Sequence, residues 1–204
     1  MDSPVDFKQD YILENEMVRL RPLEFSDYEY LISFSEGEPE LWTFSMHSAS
    51  GRENLKQYIL SAISAREQNK EYAFIVFDKI KKQYAGSTRF YDIQPLYATL
   101  QLGYTWYGKS FQGTGLNKNC KYLLLEFAFE KWGMERIEFR ADNENEKSIA
   151  AMKSIGCKVD GILRSNLPKP NGIRRDSIIL SILRNEWLEE IKPMLHSKIQ
   201  LDKF

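Results

Sequence analysis

Hydrophobic and polar residues alternate in short segments of this chain, and their spacing changes from strand-like to helix-like along its length. Met17–Leu23 alternates apolar and basic residues, as a half-buried strand does. Ser26 and Asp27 follow as caps for a helix that we predict to run through Phe34, and Asn54–Arg66 has apolar residues at helical spacing. The pattern therefore predicts one strand followed by two helices.

Three strand-like segments come next, separated by turn-like or charged residues: Tyr72–Phe77, Gln83–Ile93 and Ala98–Tyr107. Short connections between consecutive strands predict an antiparallel meander. A long apolar face at helical spacing then runs from Leu116 to Trp132, and Gly133 is typical of the residue that ends a helix. We predict a helix over this stretch.

One more strand and one more helix are predicted before the end of the chain. Glu135–Ala141 alternates apolar with charged residues. Asn143 and Glu146 have the spacing of a capping arrangement, and the helix that they begin has buried positions at Ile149 and Met152. Gly156 is expected to end that helix.

A hairpin is predicted near the end of the chain, because Pro170-Asn171-Gly172 separates two strand-like segments, Lys158–Leu167 and Ile173–Leu183. An amphipathic segment containing Trp187 and Ile191 follows. The complete predicted order is β-α-α-β-β-β-α-β-α-β-β, which indicates an α+β fold around a mixed sheet.

Length and composition suit a single domain. The 204 residues are 43% hydrophobic and 13% aromatic, enough for one buried core. With no repeat or linker in view, we predict one domain over residues 1–204, with an N-terminal extension at 1–16 and a C-terminal helix or tail at 184–204. Lys and Arg total 28 against 29 Asp and Glu, so the net charge of −1 gives no general attraction to nucleic acid.

Cysteine usage and hydropathy indicate the cellular compartment and the kinds of site to expect. Cys120 and Cys157 have neither CxxC spacing nor neighbouring histidines, so we predict no disulfide framework and no metal site. The first residues lack the features of a secretory signal, and the most apolar run, "YLLLEFAF", is short and carries Glu126. We therefore expect a cytoplasmic protein with no nucleic-acid or membrane partner.

Two different phosphate-binding signatures follow one another between Gly103 and Asn117. Gly103–Ser110 matches the P-loop pattern of nucleotide triphosphatases. Its wrapping positions, Tyr104–Tyr107, are bulky β-formers, and two glycines follow where the helix after a P-loop would already be running. The context predicts the end of a strand here rather than a triphosphate loop.

The second signature, Gln112–Asn117, has a strand before it and a long helix after it. Gly113 and Gly115 allow the backbone to approach a ligand, and the free N–H groups of the first helical turn point at that ligand. A dinucleotide fingerprint is disfavoured, since Lys118 replaces a third glycine. A pyrophosphate loop and a glycine-rich connection that binds nothing both stay open from these residues.

With these motifs, the sequence resembles the GNAT superfamily of N-acetyltransferases, and within it the branch of the ribosomal-protein N-terminal acetyltransferases. The similarity runs from Met17 to Leu183 and includes "LGYTW", "FQGTGLNK", "RIEFRADNENEKSIAAMKSIGCKVDGILR" and "NGIRRDSIILSIL". The resemblance implies a mixed, mostly antiparallel sheet with splayed central strands, flanked by helices. It implies acetyl-CoA as the acetyl donor without a metal, and it is compatible with a homodimer.

The resemblance also implies where acetyl-CoA binds. Its pantetheine arm is expected in the gap between the splayed strands, against the backbone of Trp106 and Tyr107. Asn145 matches a position that contacts this arm, and a role as helix-start residue is its alternative. The pyrophosphate is expected on Gln112, Gly113, Thr114, Gly115, Leu116 and Asn117.

Chemistry in the family is direct attack of a neutral amine on the thioester, with a strand N–H stabilising the oxyanion. Three positions depart from the family pattern. Asn117 replaces the usual last Gly or Ala of the loop, and Met152 stands where many relatives carry a Tyr acid. Gln101, expected to line the acceptor site, replaces a frequent Glu and cannot act as a base. Ser148 is the candidate acid, with a local backbone contact in the first helical turn as its alternative role.

The acceptor is expected to be a primary amine of a small molecule or of a protein N-terminus. "SEGEPELWTFSM" gathers three glutamates beside Trp42, which suits a cationic amine next to an aromatic wall. A solvated acidic loop with Trp42 in the core is the alternative. Our leading hypothesis is an acetyl-CoA-dependent N-acetyltransferase. A non-catalytic CoA-binding module and a P-loop triphosphatase are the competing hypotheses.

Overall fold

The computed structural model describes residues 5–169 and 172–201, apart from the side chains of residues 200 and 201. Within that part of the chain, eight strands form one sheet in the order β1-β2-β3-β4-β5-β6-β8-β7. The strands are β1 Leu13–Glu14, β2 Val18–Pro22, β3 Tyr72–Asp78, β4 Gln83–Gln94, β5 Thr99–Tyr107, β6 Arg136–Asp142, β7 Lys158–Pro168 and β8 Arg174–Leu183.

Helices flank the sheet and follow the predicted order. The α-helices are α1 Tyr28–Gly37, α2 Arg52–Glu67, α3 Leu116–Glu126, α4 Glu146–Ser154, α5 Arg184–Glu186 and α6 Lys192–Leu201. The predicted helix up to Trp132 is α3 followed by a π-helical turn, Phe127–Lys131, and Gly133 ends it with a φ of 66°. In the terminal hairpin β7 pairs with β8, while Pro170 and Asn171 of its predicted turn lie outside the described residues.

Part of the predicted N-terminal extension belongs to the folded core. Val5, Phe7 and Tyr11 are buried, and β1 pairs with β2. The Arg66 side chain holds this segment by donating hydrogen bonds to backbone carbonyls, including a 2.8 Å bond to that of Phe7. Polar residues separate these three apolar side chains in sequence, so no regular period predicted that they would pack.

The two central strands, β5 and β6, separate along their length. They form the parallel pair of the sheet, joined from Thr99 opposite Arg136 to Gln101 opposite Glu138. Beyond Gln101 and Glu138, β5 pairs with β4, and β6 pairs with β8. A bulge shifts the register between β4 and β5, where Tyr104 has a φ of 49°. The predicted splay of the central strands is therefore present, and the predicted fold class is confirmed.

Apolar side chains on the two faces of the sheet form separate cores. The larger core includes α3, the C-terminal helical segments and residues of the N-terminal segment, with Trp132 and Trp187 fully buried. The smaller core lies under α1 and α2 and includes Trp42 and Trp106. None of the helices in the described part of the chain is both long and apolar enough to cross a membrane.

Candidate active site

The loop between β5 and α3 allows a ligand to approach its backbone closely. Gly113 and Gly115 have φ values of 76° and 82°, in the left-handed region where a side chain adds strain. The first hydrogen bond of α3 joins the Asn119 N–H to the Gly115 carbonyl, at 3.2 Å. Backbone N–H groups from Gly113 to Asn117 have no acceptor among the residues that the structure describes. These donors, at the positive end of the helix dipole, suit an anion.

Side chains of the loop fix its shape from within. Gln112 donates from its amide nitrogen to the Tyr107 carbonyl at 2.8 Å and accepts from the Lys147 ammonium on α4. Thr114 donates its hydroxyl to the Phe111 carbonyl at 2.8 Å. The loop is thereby tied to the end of β5 and to the first turn of α4. Lys147 adds a cation beside the loop that sequence analysis missed, because no local motif links the two segments.

The P-loop pattern at Gly103–Ser110 lacks the geometry of a phosphate loop. Tyr104–Tyr107 lie in β5, as predicted, and a short 3-10 turn follows. The Lys109 N–H donates to a Glu38 carboxylate oxygen at 2.7 Å, and its ammonium forms an ion pair with Glu40. Lys109 is therefore turned toward the connection between α1 and α2, away from the glycine loop.

The first turn of α4 carries two of the predicted site residues. Asn145 is the N-cap, and its side-chain oxygen accepts from the Ser148 N–H at 3.1 Å. Its helix-start role is thus present, while its amide NH₂ makes no hydrogen bond within the described residues. The half-buried Ser148 hydroxyl also has no hydrogen-bond partner within them. Met152 is buried in the larger core and brings no polar group to this helix face.

The two predicted strand residues direct their side chains into opposite cores. Trp106 packs against Trp42 in the smaller core, with ring centroids 4.9 Å apart, and Tyr107 lies in the larger core. Because both side chains are buried, only the backbone of this part of β5 is free to meet a ligand in the gap.

Gln101 lies at the point where β5 and β6 begin to separate. Its neighbours Leu100 and Leu102 face the larger core, so alternation places Gln101 on the opposite face, toward the smaller core that contains Trp42. Gln101 is buried, and its amide donates to an Asp92 carboxylate oxygen at 2.8 Å. The structure therefore brings Trp42 and Gln101 to one side of the sheet.

The acidic side chains that suggested a cationic acceptor are paired within the chain. Glu36 accepts from Arg52 at 2.6 Å, Glu38 accepts from a backbone N–H, and Glu40 is paired with Lys109. Their charges are therefore largely compensated without a ligand. Trp42, only 6% exposed, is part of the smaller core as the alternative interpretation described.

A cluster of aromatic and charged residues on this same face was not predicted. Arg89 lies between two tyrosine rings, with its guanidinium carbon 5.0 Å from the Tyr58 centroid and 4.4 Å from that of Tyr104, and it pairs with Glu71 at 2.6 Å. Tyr91 contacts Tyr104 with centroids 5.0 Å apart, and burial raises the pKa of both phenols. These residues come from several elements, so sequence spacing does not link them.

Comparison with known proteins agrees with this geometry. A family model described as "Acetyltransferase (GNAT) domain" matches residues 18–158. The chain is 27% identical over 180 residues to "Putative ribosomal N-acetyltransferase YdaF" of Bacillus subtilis (strain 168), an alignment that covers 85% of this chain and 94% of the relative.

Solved structures share the fold at lower identity. A GCN5-related N-acetyltransferase from Brucella melitensis matches with a TM-score of 0.85 at 23% identity, over 94% of this chain and 86% of the other. Ribosomal-protein-S5-alanine acetyltransferase from Vibrio fischeri matches with a TM-score of 0.71 at 22% identity, over 87% and 99%. Because the family model spans well over half of the chain and includes its glycine loop, this protein belongs to the GNAT acetyltransferase family and is an acyltransferase.

Proposed function

We propose that this enzyme transfers the acetyl group of acetyl-CoA to a primary amine, by direct attack of the neutral amine on the thioester. The loop before α3 carries the proposal, since its left-handed glycines suit a pyrophosphate, as do several of its backbone N–H groups, which have no acceptor among the described residues. In this proposal Asn145, Trp106 and Tyr107 contact the pantetheine arm. The pyrophosphate lies on Gln112, Gly113, Thr114, Gly115, Leu116 and Asn117.

Ser148 is proposed to give a proton to the leaving sulfur. Its hydroxyl is half-buried at the start of α4 and has no hydrogen-bond partner within the described chain. A hydroxyl is a weak acid and a thiolate is a good leaving group near neutral pH, so this contribution is small. Neither the proton transfer from Ser148 nor the attack of the amine on the thioester requires a metal.

The acceptor that fits best is the α-amine of a protein N-terminus. Gln101 cannot take a proton from the amine, so solvent must do so before the attack. An α-amine has a pKa of about 7.7 to 8 and is partly neutral at pH 7, whereas a lysine-like amine near 10.4 is almost fully protonated. The YdaF relative is named as a ribosomal N-acetyltransferase, which makes ribosomal-protein N-termini the first acceptors to test.

The test is release of free CoA thiol over a matched set of amines. Peptides with a free N-terminus should be acetylated, whereas the same peptides with a blocked α-amine and an internal lysine, and polyamines, should react much more slowly. Faster reaction with polyamines would overturn the α-amine assignment. Tight acetyl-CoA binding without turnover on any amine would favour a non-catalytic module.

Two further proposals concern the setting of the enzyme. Both cysteines are buried free thiols, which suits a reducing compartment, so we propose a cytoplasmic location. A single domain over residues 1–204 is proposed, in which residues 5–14 are part of the fold rather than an appended extension.

A further inference from the structure

Lys121 on α3 is a lysine buried beneath the opening between the splayed strands. It is only 5% exposed. Its ammonium donates to the Thr105 hydroxyl at 2.8 Å and lies 6.0 Å from the ring centroid of Phe139. Thr105 on β5 and Phe139 on β6 both lie beyond the last residues that pair these two strands. The ammonium therefore reaches both sides of the opening from the α3 side.

No anion within the described part of the chain compensates this charge. The ammonium has Thr88 and Thr105 hydroxyls as its hydrogen-bond partners, at 3.4 and 2.8 Å. Its titratable neighbours are the thiols of Cys120 and Cys157, and burial raises the pKa of each to about 12, so both are neutral. Burial lowers the pKa of Lys121 to about 8. Burying an ammonium without a counter-ion costs free energy, so such a group is unusual in a folded protein. A ligand that supplies the anion would remove much of that cost.

We propose that the Lys121 ammonium stabilises the negative charge that develops on the sulfur of CoA as the acetyl group leaves. This inference rests on the proposed function, which places the thioester in the gap between β5 and β6. It assigns a role to a side chain on α3, whereas the proton donor proposed above approaches from α4. A cation in a desolvated site stabilises a developing thiolate far more than it would in water.

The step is balanced without any further reactant. The amine nitrogen bonds to the acetyl carbon as the carbon–sulfur bond breaks, and the sulfur keeps the bonding electron pair. The surplus proton of the amine goes to solvent. The sulfur, paired with the Lys121 ammonium, takes a proton from the Ser148 hydroxyl or from solvent, and Ser148 recovers its proton from water. Lys121 contributes charge and remains protonated throughout.

The test measures the thiol pKa of bound CoA, which does not depend on turnover. Thiolate absorbance is titrated in stoichiometric complexes with CoA, with the desulfo-CoA complex as the blank. Wild-type enzyme and Ser148→Ala should lower the thiol pKa by about one unit or more relative to free CoA. Lys121→Met should lose that shift, while Lys131→Met, which removes an exposed charge further along the same helical segment, should keep it. An equal thiol pKa in the wild type and Lys121→Met overturns the proposal.

Thermal melts at several pH values show whether the variant folds and whether the lysine is charged. Methionine has similar length and no charge to bury, so Lys121→Met should melt above the wild type below pH 8. In the native state the lysine pKa of about 8 is below its ordinary 10.5, so the native state binds fewer protons than the unfolded state between these values. The cost of the charge, and with it the difference in melting temperature, should shrink as the pH rises from 8 to 10.5.

Two outcomes separate this inference from the proposed function. If wild-type enzyme binds no acetyl-CoA, the proposed function fails. If wild-type enzyme binds and uses acetyl-CoA while Lys121→Met keeps the full thiol shift, only the role of Lys121 fails. Should Lys121→Met not fold, Lys121→Gln repeats the titration with an uncharged polar side chain.

Discussion

Two candidate ligand sites were named from the sequence, the loop before α3 and the connection between α1 and α2, and these two regions differ sharply in structure. The loop has two glycines with left-handed backbone conformation, and several of its backbone N–H groups donate no hydrogen bond to any described residue. In the connection, Trp42 is buried and Glu40 is paired with Lys109, and at its two ends Glu36 of α1 is paired with Arg52 of α2. The loop before α3 therefore has hydrogen-bond donors available for an anion. In the connection, the charged and polar groups are largely paired with other groups of the chain.

The difference shows which sequence patterns are good evidence of a ligand site in the folded protein. A left-handed turn before a helix strongly favours glycine, and the N–H groups of the first helical turn have no intrahelical partner, so the loop pattern specifies its own geometry. Acidic residues have no such constraint, because any nearby Lys or Arg can pair with them. A cluster of glutamates is therefore weaker evidence of a ligand site than two spaced glycines.

The largest expected effect is on stability, in the α1–α2 connection. Trp42→Ala should lower the free energy of unfolding by about 3 to 5 kcal/mol, because a buried indole that packs on Trp106 is removed. Trp42→Phe should cost much less, since the indole N–H that it removes is buried and has no hydrogen-bond partner among the described residues. Denaturant unfolding and acetyl-CoA titration should show lower stability with nearly unchanged cofactor affinity. A stable Trp42→Ala enzyme with a raised acceptor KM would instead make Trp42 part of an open acceptor wall.

The second largest effect is expected on acetyl-CoA affinity, in the loop before α3. Gly115→Glu should weaken acetyl-CoA binding by at least about a hundredfold, because a side chain at a φ of 82° is strained and its carboxylate repels the pyrophosphate. Lys109→Ala is the matched control, since Lys109 is turned toward Glu40, and its affinity should stay within about twofold of wild type. Calorimetric titration measures both. Reversed results would identify Gly103–Ser110 as the phosphate loop after all.

A smaller effect is expected at the start of α4. Ser148→Ala should reduce kcat by about 10- to 100-fold, at or below the low end of a general-acid contribution, with acetyl-CoA affinity nearly intact. The capping bond from the Ser148 N–H to Asn145 involves only backbone of Ser148, so the substitution leaves it in place. Steady-state kinetics and a thermal melt provide the two readouts. Unchanged turnover in the folded variant would leave solvent as the proton donor.

The smallest effect concerns the link between the loop and α4. Gln112→Ala removes the bonds to the Tyr107 carbonyl and to Lys147, and should weaken acetyl-CoA binding by about 2- to 10-fold. The loop glycines remain, so binding should be reduced and not lost. A loss as large as that of Gly115→Glu would mean that side-chain contacts, rather than free backbone N–H groups, hold the ligand.

Sequence alone predicted the order of the main elements and the glycine loop. Both depend on information that is local in the chain: apolar spacing distinguishes α3 from β5, and Gly113 with Gly115 specifies a turn that other residues cannot make without strain. The family resemblance added the splay of β5 and β6, which the pairing between them confirms. Asn145 and Ser148 were proposed as site residues in the same way, by their position in a segment that resembles the family.

Tertiary structure alone decided which side chains meet. Val5 and Phe7 look like isolated apolar residues until the sheet gives them a surface to cover. Lysine is a residue type that usually lies on the solvent face of a helix, so the sequence does not mark Lys121 as buried. Only the packing of α3 against β5 and β6 places its ammonium between Thr105 and Phe139. The physical reason is that burial and charge compensation depend on contacts between residues far apart in the chain, which hydrophobic spacing does not record.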